Sequence, residues 1–530
     1  MNRNEVRLQP EQTGLPADSS SLTTTHSDNR SHRVWYRPQS RTGGLRAVLG
    51  VGLLTLALIA RPANAVPPVA LLNPPLEDFA DATVDDGDSD SFLEPSLEQR
   101  VNSLEAELEL LRGRVPRPQI VPARDCDQFG STALPDLTHY VLYDQGWKIR
   151  PYQPKQHPFE LGFQLHNQFR YTGFWHNGDE AFNSAGDPIP VLDRSTFDIN
   201  RGRLVFFGYA FHPELQYYVN IDYGTVSGDS IMPLLAWASL PLGDATRFKI
   251  GMGKVPGNWE WQQTSRYTLG ADRTMATTFF RPSITTGMWV DGKLTRDVHY
   301  TAFLGNGLNT LTLRAGELDK DFLYSLMTWW EPWGEFGAGF SDIDFHDAPV
   351  IRIGHALTKT SVDAINDLSP GPESTVVRLS DGTRLTTPGA LGMGETVNAF
   401  QWWLYAAHLG LKYRGFSLGV EYNLRWIRKI TSQTGSRLTS QFDHGGFLQL
   451  GCFVVPKQLE LFGRTSFVTG AQGSGDEYSL GGNWYPFEVR NVRATADVTW
   501  VQDSPAQQSR TGYVVAGHGP LFRLQLWTIY

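Results

Sequence analysis

The stretch PFELGFQLHNQFRYTG, residues 158–173, decides the fold. Phe159, Leu161, Phe163, Leu165, Phe169 and Tyr171 take every second position, and only Asn167 interrupts the row. Between them stand Glu160, Gly162, Gln164, His166, Gln168 and Arg170, all polar or glycine. A period of two marks a strand with one apolar and one wet face. Strands of soluble proteins run to about 5–6 residues, and this pattern holds for more than twice that.

The alternation returns along the chain. LQYYVNIDYG sets Leu215, Tyr217, Val219 and Ile221 against Gln216, Tyr218, Asn220 and Asp222. TRFKIGMG sets Phe248, Ile250 and Met252 against Arg247, Lys249 and Gly251. FSLGVEYNLRW and VRATADVTW repeat the pattern near the other end. Read this way, residues 158–530 hold sixteen strands. Tight connections at 212–214, 241–244, 296–297, 414–415, 456–457 and 488–489 alternate with long ones at 176–195, 256–282, 305–321, 359–397, 429–443 and 502–518. An even strand number, short turns at one end and long loops at the other describe an outer-membrane barrel. Lipid offers backbone groups no hydrogen bonds, so a spanning sheet must close on itself. The expected fold is therefore all-β: a 16-stranded antiparallel transmembrane β-barrel behind a short N-terminal coiled-coil helix. Spanning needs only about 9–11 tilted residues, so the surplus of the first strand should project as barrel wall.

The final residues, LFRLQLWTIY, put Phe522, Leu524 and Leu526 on one face and end at the aromatic Tyr530, with Thr528 the weak member. That row is similar to the C-terminal signal read by the bacterial barrel-assembly machinery.

Composition agrees with this class. The 530 residues are 41% hydrophobic, with 16 Trp, 19 Tyr and 29 Phe, and mean hydropathy is −0.30. The chain is too polar for a bundle of membrane helices, and its aromatics suit the two interfacial girdles of a barrel. Two cysteines, Cys126 and Cys452, imply no disulfide framework and are expected as buried free thiols. Residues 1–146 carry 13 basic and 20 acidic side chains, and the remainder 33 and 35. The net charge of −9 thus belongs mostly to the N-terminal part. With no basic stripe, zinc spacing or recognition-helix pattern, nucleic acid is not expected as a partner.

The N-terminal part divides into four. Residues 1–65 read as a signal peptide with an extended n-region: Arg41 and Arg46 precede an apolar run from Ala47 to Ala60, and Ala63-Asn64-Ala65 fits a small-x-small cleavage site. Residues 66–95 are an acidic, Pro-rich linker. In 96–115, Leu97, Val101, Leu104, Leu108, Leu111 and Val115 are spaced four and three in turn, a coiled-coil seam. Prolines end that helix, and 116–157 reads as a further linker.

Three stretches carry a resemblance: FDINRGRLVFFGYAFHPELQYYVNIDYG (197–224), RFKIGMGKVP (247–256) and DRTMATTFFRPSITTGMWVDGKL (272–294). They resemble the phosphate-selective porin O and P family. The resemblance implies a trimeric sixteen-stranded barrel in the bacterial outer membrane; the N-terminal segment is expected on the short-turn, periplasmic side. It implies that the third long loop folds inward and narrows the pore, basic side chains lining the solute path. Here that loop, 256–282, holds Arg266, Arg273 and Arg281 but no lysine, so the lysine cluster of phosphate-selective members is absent.

Further solute-path candidates come from the inward phase of the strands: Arg201, Arg203, Arg247, Lys249 and Lys293, together with Arg170, Lys412, Arg425, Arg493 and Arg523. The competing reading of each is an ion pair with an inward acid such as Glu160, Asp222, Asp291, Glu421, Glu460 or Asp497. RGRLVFFGYAF (201–211) is apolar on both phases, so a bulge is expected near Arg201 and Arg203. The expected function is passive diffusion of small solutes, with anions such as phosphate preferred and no cofactor or metal. One alternative is a structural protein tethering the membrane to the cell wall through the coiled coil. Another is a barrel-borne hydrolase, against which stands the lack of a G-x-S-x-G elbow or metal-spaced histidines.

Overall fold

The computed structural model describes residues 138–530, apart from 228–230, 244, 309, 312, 314 and 364–375. The signal peptide, the acidic linker, the seam from Leu97 to Val115 and Cys126 lie outside the described residues.

A hairpin, β1 (His139–Tyr143) and β2 (Trp147–Pro151), comes first, followed by β3 (Phe159–Phe174). A small ladder, β4 (Ala181–Phe182) and β5 (Pro188–Ile189), decorates the first long loop. Then come β6 (Arg194–Ala210), β7 (Gln216–Asp222), β8 (Met232–Gly243), β9 (Thr246–Lys254), β10 (Ile284–Lys293), β11 (Val298–Gly305) and β12 (Leu323–Trp330). The last are β13 (Val350–Val362), β14 (Val397–Tyr413), β15 (Phe416–Ser432), β16 (Gln441–Val455), β17 (Leu459–Gly470), β18 (Ser474–Trp484), β19 (Val492–Gln502) and β20 (Gly519–Ile529). β3 and β6 to β20 pair antiparallel, each with its neighbour in sequence, and β20 pairs back onto β3. The chain therefore forms a closed sixteen-stranded antiparallel β-barrel. Closure runs to the last residue: Tyr530 and Leu165 exchange both backbone hydrogen bonds, at 3.1 and 2.6 Å.

The outer face is the apolar phase. Ile250, Met288, Leu326, Leu448, Leu480, Leu524 and Leu526 all stand exposed on it, which in a membrane means facing lipid. Phe522, Leu524, Leu526 and Tyr530 share this face, while Leu521, Arg523, Gln525 and Trp527 are buried inside. Cys452 was expected to be buried; it lies exposed on the outer face of β16, because its strand position falls in the lipid-facing phase.

The bulge at β6 is present. Gln168 pairs with Arg201 and Phe169 with Ile199, leaving Asn200 as the extra residue. It turns Arg201, Arg203, Val205 and Phe207 to the inside, where all four are buried.

Two features depart from the expected plan. The stretch 116–157 is not all linker: β2 pairs with the first half of β3, Ile149 opposite Leu161 and Trp147 opposite Phe163. The surplus of β3 below Tyr530 is thus sheet with a partner on each edge, β2 on one side and β6 on the other. Secondly, the connection between β12 and β13 lies at the short-turn end yet runs from Glu331 to Pro349 and enters the lumen.

Candidate functional site

The chemistry of such a barrel lies in its lumen, and here several segments are folded into it, two of them deeply. From the long-loop end comes L3, the connection 255–283 between β9 and β10, holding helices α1 (Trp259–Gln262) and α2 (Met275–Phe280). Nearly all of it is buried. A loop taken out of water must have its backbone groups satisfied, and the polar inner wall does this. Asp497 accepts from Ala271 N at 2.8 Å and Glu477 from Met275 N at 3.0 Å. Arg493 donates to Thr268 O and Asn483 to Leu269 O, both at 2.8 Å. Both helices aim their N-termini at wall carboxylates: Trp259 N donates to Glu421, and Met275 N to Glu477. The helix dipole favours that arrangement.

Asp272 is the main ionic clamp. Arg170 donates to it at 2.8 Å and Arg201 at 2.6 and 3.1 Å, all three side chains being buried. Burial pushes the Asp272 carboxyl up, but Arg201 and Arg170 outweigh it and hold the group well below the usual carboxylate range. Glu260 goes the other way. Burial raises it, against the Arg464 charge and hydrogen bonds from Thr274.

The second segment is the β12–β13 connection. Phe336 and Phe340 pack on Trp259 at ring distances of 5.7 and 4.4 Å. Phe340 N donates to Tyr267 O at 3.3 Å and Gly339 N to Gln263 Oε1 at 3.1 Å. Lys412 Nζ holds the carbonyls of Phe336 and Ala338 at 3.0 and 3.1 Å. The hollow is built by two glycines facing each other across β14 and β15, Gly410 and Gly419. A Cβ at Gly410 would come within 2.6 Å of Phe336 and 2.8 Å of Trp259, and one at Gly419 within 2.8 Å of Phe340. Only glycine lets these rings reach the wall.

The inner face is therefore not uniformly polar. Under the long loops it carries Trp402, Leu404, Ile427, Val501 and Leu521, which form one core with Met275 and Phe280 of L3 and with Leu379, Leu385 and Tyr513 from the long loops 363–396 and 503–518. A small cleft beside this core is lined by Phe279, Arg281, Trp402 and Arg425 among others.

The expected site residues separate into two groups. Arg201, Arg203, Arg273 and Arg281 are buried against protein. Arg201 clamps Asp272; Arg203 stands 3.6 Å from Asp222, which Arg510 also grips at 2.7 and 2.8 Å. Arg273 and Arg281 both lie over the Trp261 ring at 4.7 Å, with Lys254 at 5.5 Å. Arg247, Lys249, Lys293 and Arg266 are only half-buried. Lys249 stands between Trp237 and Trp289 at 5.2 and 4.8 Å, and Arg247 is the cross-strand partner of Asp291. Arg523 pairs with Asp497 and Arg425 with Asp443, both at 2.7 Å. The clamp partner Asp272 and the gripping Arg510 were not legible as such, since loop residues carry no strand phase. The inward Gly410 and Gly419 do fall on the polar phase of their strands, a signal that something large presses there.

A closed barrel with an apolar outer belt, an inward-folded third loop and a charged inner wall defines a transmembrane β-barrel of the outer-membrane type. No protein-family model and no curated protein matches this sequence. Among solved structures the chain is similar to the trimer form of OmpT, an outer membrane protein of Vibrio cholerae, at 10% identity and a TM-score of 0.44, over 70% of this chain and 99% of that one. It is similar to OprB of Pseudomonas putida at 10% identity and 0.43, over 70% and 94%. It is also similar to OmpF of Salmonella typhi at 10% and 0.44, over 74% and 100%.

Proposed function

We propose that this protein is a passive channel for small solutes in a bacterial outer membrane, preferring anions such as phosphate. The observation that carries the reading is the charge of the solvent-reached lumen beside L3. On β9, β10 and L3 the half-buried ionisable groups are Arg247, Lys249, Lys293 and Arg266, against one carboxylate, Asp291. L3 is bonded to β3, β6, β15 and β17 to β19, and in this reading the solute passes the half-buried groups of β9 and β10. Charge in a narrow, partly dry passage is poorly screened, and a modest positive excess there counts for more than at an open surface. The buried arginines, in contrast, hold L3 in place. The same reading puts the short turns and the N-terminal segment in the periplasm, assigns the row Phe522, Leu524, Leu526 and Tyr530 to the assembly machinery, and takes the homotrimer from the family resemblance.

Reversal potential across a salt gradient in a planar bilayer tests it. The wild type should prefer anions, most strongly at low salt, and Lys249→Gln with Lys293→Gln should weaken that preference. Cation preference in the wild type would remove the anion reading, and no conductance at all would favour the tether.

A further inference from the structure

We propose that the hairpin β1–β2 is a lipid-docking element that lies in the headgroup layer of the leaflet at the short-turn end of the barrel. Its two strands pair Val141 with Ile149 and Tyr143 with Trp147. Cross-strand partners share a face, so these four form one apolar surface, exposed by 64%, 38%, 54% and 53% respectively. The opposite face carries Tyr140 and Leu142 beside Lys148 and Arg150, the two cations being engaged with Asp144 at 2.6 Å and Glu160 at 2.8 Å. The hairpin thus has one apolar side and one mixed side, and the four apolar residues of the former are all exposed.

That apolar side continues an existing lipid contact. Ile149 is level with Leu161 and Trp147 with Phe163, both in the outward row of β3. Tyr530, at the end of the outward row of β20, pairs with Leu165 just above. The belt also reaches the rim, because Leu242 at the end of β8 and Phe211 and Leu294 in the short turns are exposed where water-facing turns favour polar residues and glycine. Tyr and Trp side chains settle at the headgroup level, where one end is dry and the other wet. The backbone fixes the depth. Among the described strands β1 pairs only with β2, so its outer edge has backbone groups that need water. Hydrocarbon cannot supply it, whereas the headgroup layer can.

The test uses the full chain carrying Cys126→Ser and Cys452→Ser, in vesicles of phosphatidylethanolamine and phosphatidylglycerol. A bimane label is placed at Val141→Cys, with Tyr143→Cys as a second probe of the same face and Leu142→Cys as the opposite-face control. Heat-modifiable mobility verifies that each barrel is folded. Lipids bearing a headgroup nitroxide should quench the labels at 141 and 143 clearly more than the label at 142, with the order reversed for aqueous iodide. Equal iodide access at 141, 142 and 143 without nitroxide quenching would overturn the proposal, leaving the face in water. Disulfide formation between position-141 cysteines of two copies would equally overturn it, making the face a contact between copies. Neither outcome depends on whether the barrel conducts.

Discussion

At Asp272, two wall arginines converge on one loop carboxylate with no water between them. Removing one partner of a buried pair leaves the other charge uncompensated, at a cost of about 3–5 kcal/mol. Asp272→Asn leaves Arg170 and Arg201 facing each other, so the variant barrel should lose its heat-resistant gel mobility at a lower temperature and expose L3 to protease. An unchanged transition would show that the pair contributes nothing net. The pH dependence follows from two opposite shifts. Asp272 is depressed, so its contribution is present above the unfolded carboxylate range and survives mild acid. Glu260 is raised, so its stabilising proton uptake grows as pH falls from neutrality toward the unfolded value. Between pH 7 and about pH 5 the thermal midpoint of the wild type should gain on that of Glu260→Gln as pH falls. Identical pH profiles in the two would contradict the raised Glu260.

At the level of elements, the β12–β13 connection shows how a turn becomes a plug. Phe336 and Phe340 bury their rings against Trp259 and the Gly410–Gly419 hollow, while Lys412 satisfies the backbone they bring in. Gly410→Ala adds a Cβ with nowhere to go, a core overpacking that costs typically about 1–3 kcal/mol, and should loosen the plug with the barrel intact. Replacing residues 333–348 by Asn-Gly should raise unitary conductance in planar bilayers, because the short-turn mouth loses its cover. Unchanged conductance in a folded variant would place the segment off the solute path. Sequence could not supply this element, since the fold of EPWGEFGAGFSDIDFHDAP depends on a hollow made by two distant strands.

For the whole molecule, closure is the central event: β20 must find β3 across the full length of the barrel sequence. Tyr530 ends that seam with both its backbone groups on Leu165 and its hydroxyl accepting from Asn167 at 3.1 Å. Deleting Tyr530 should lower the amount of heat-modifiable barrel recovered from the membrane, and an unchanged yield would count against its role. The alternation in PFELGFQLHNQFRYTG and its repeats by itself determined sixteen strands and which phase meets lipid, because a side-chain period of two is a local property of each strand. Where both phases are apolar, as in FQWWLYAAH (400–408) or RGRLVFFGYAF, local pattern left the inner partner open. Only the tertiary structure decided that Trp402 and Leu404 lie under loops, that Arg201 clamps Asp272, and that 139–151 extends the sheet. Those outcomes depend on contacts between residues far apart in the chain, and no period within a strand encodes them.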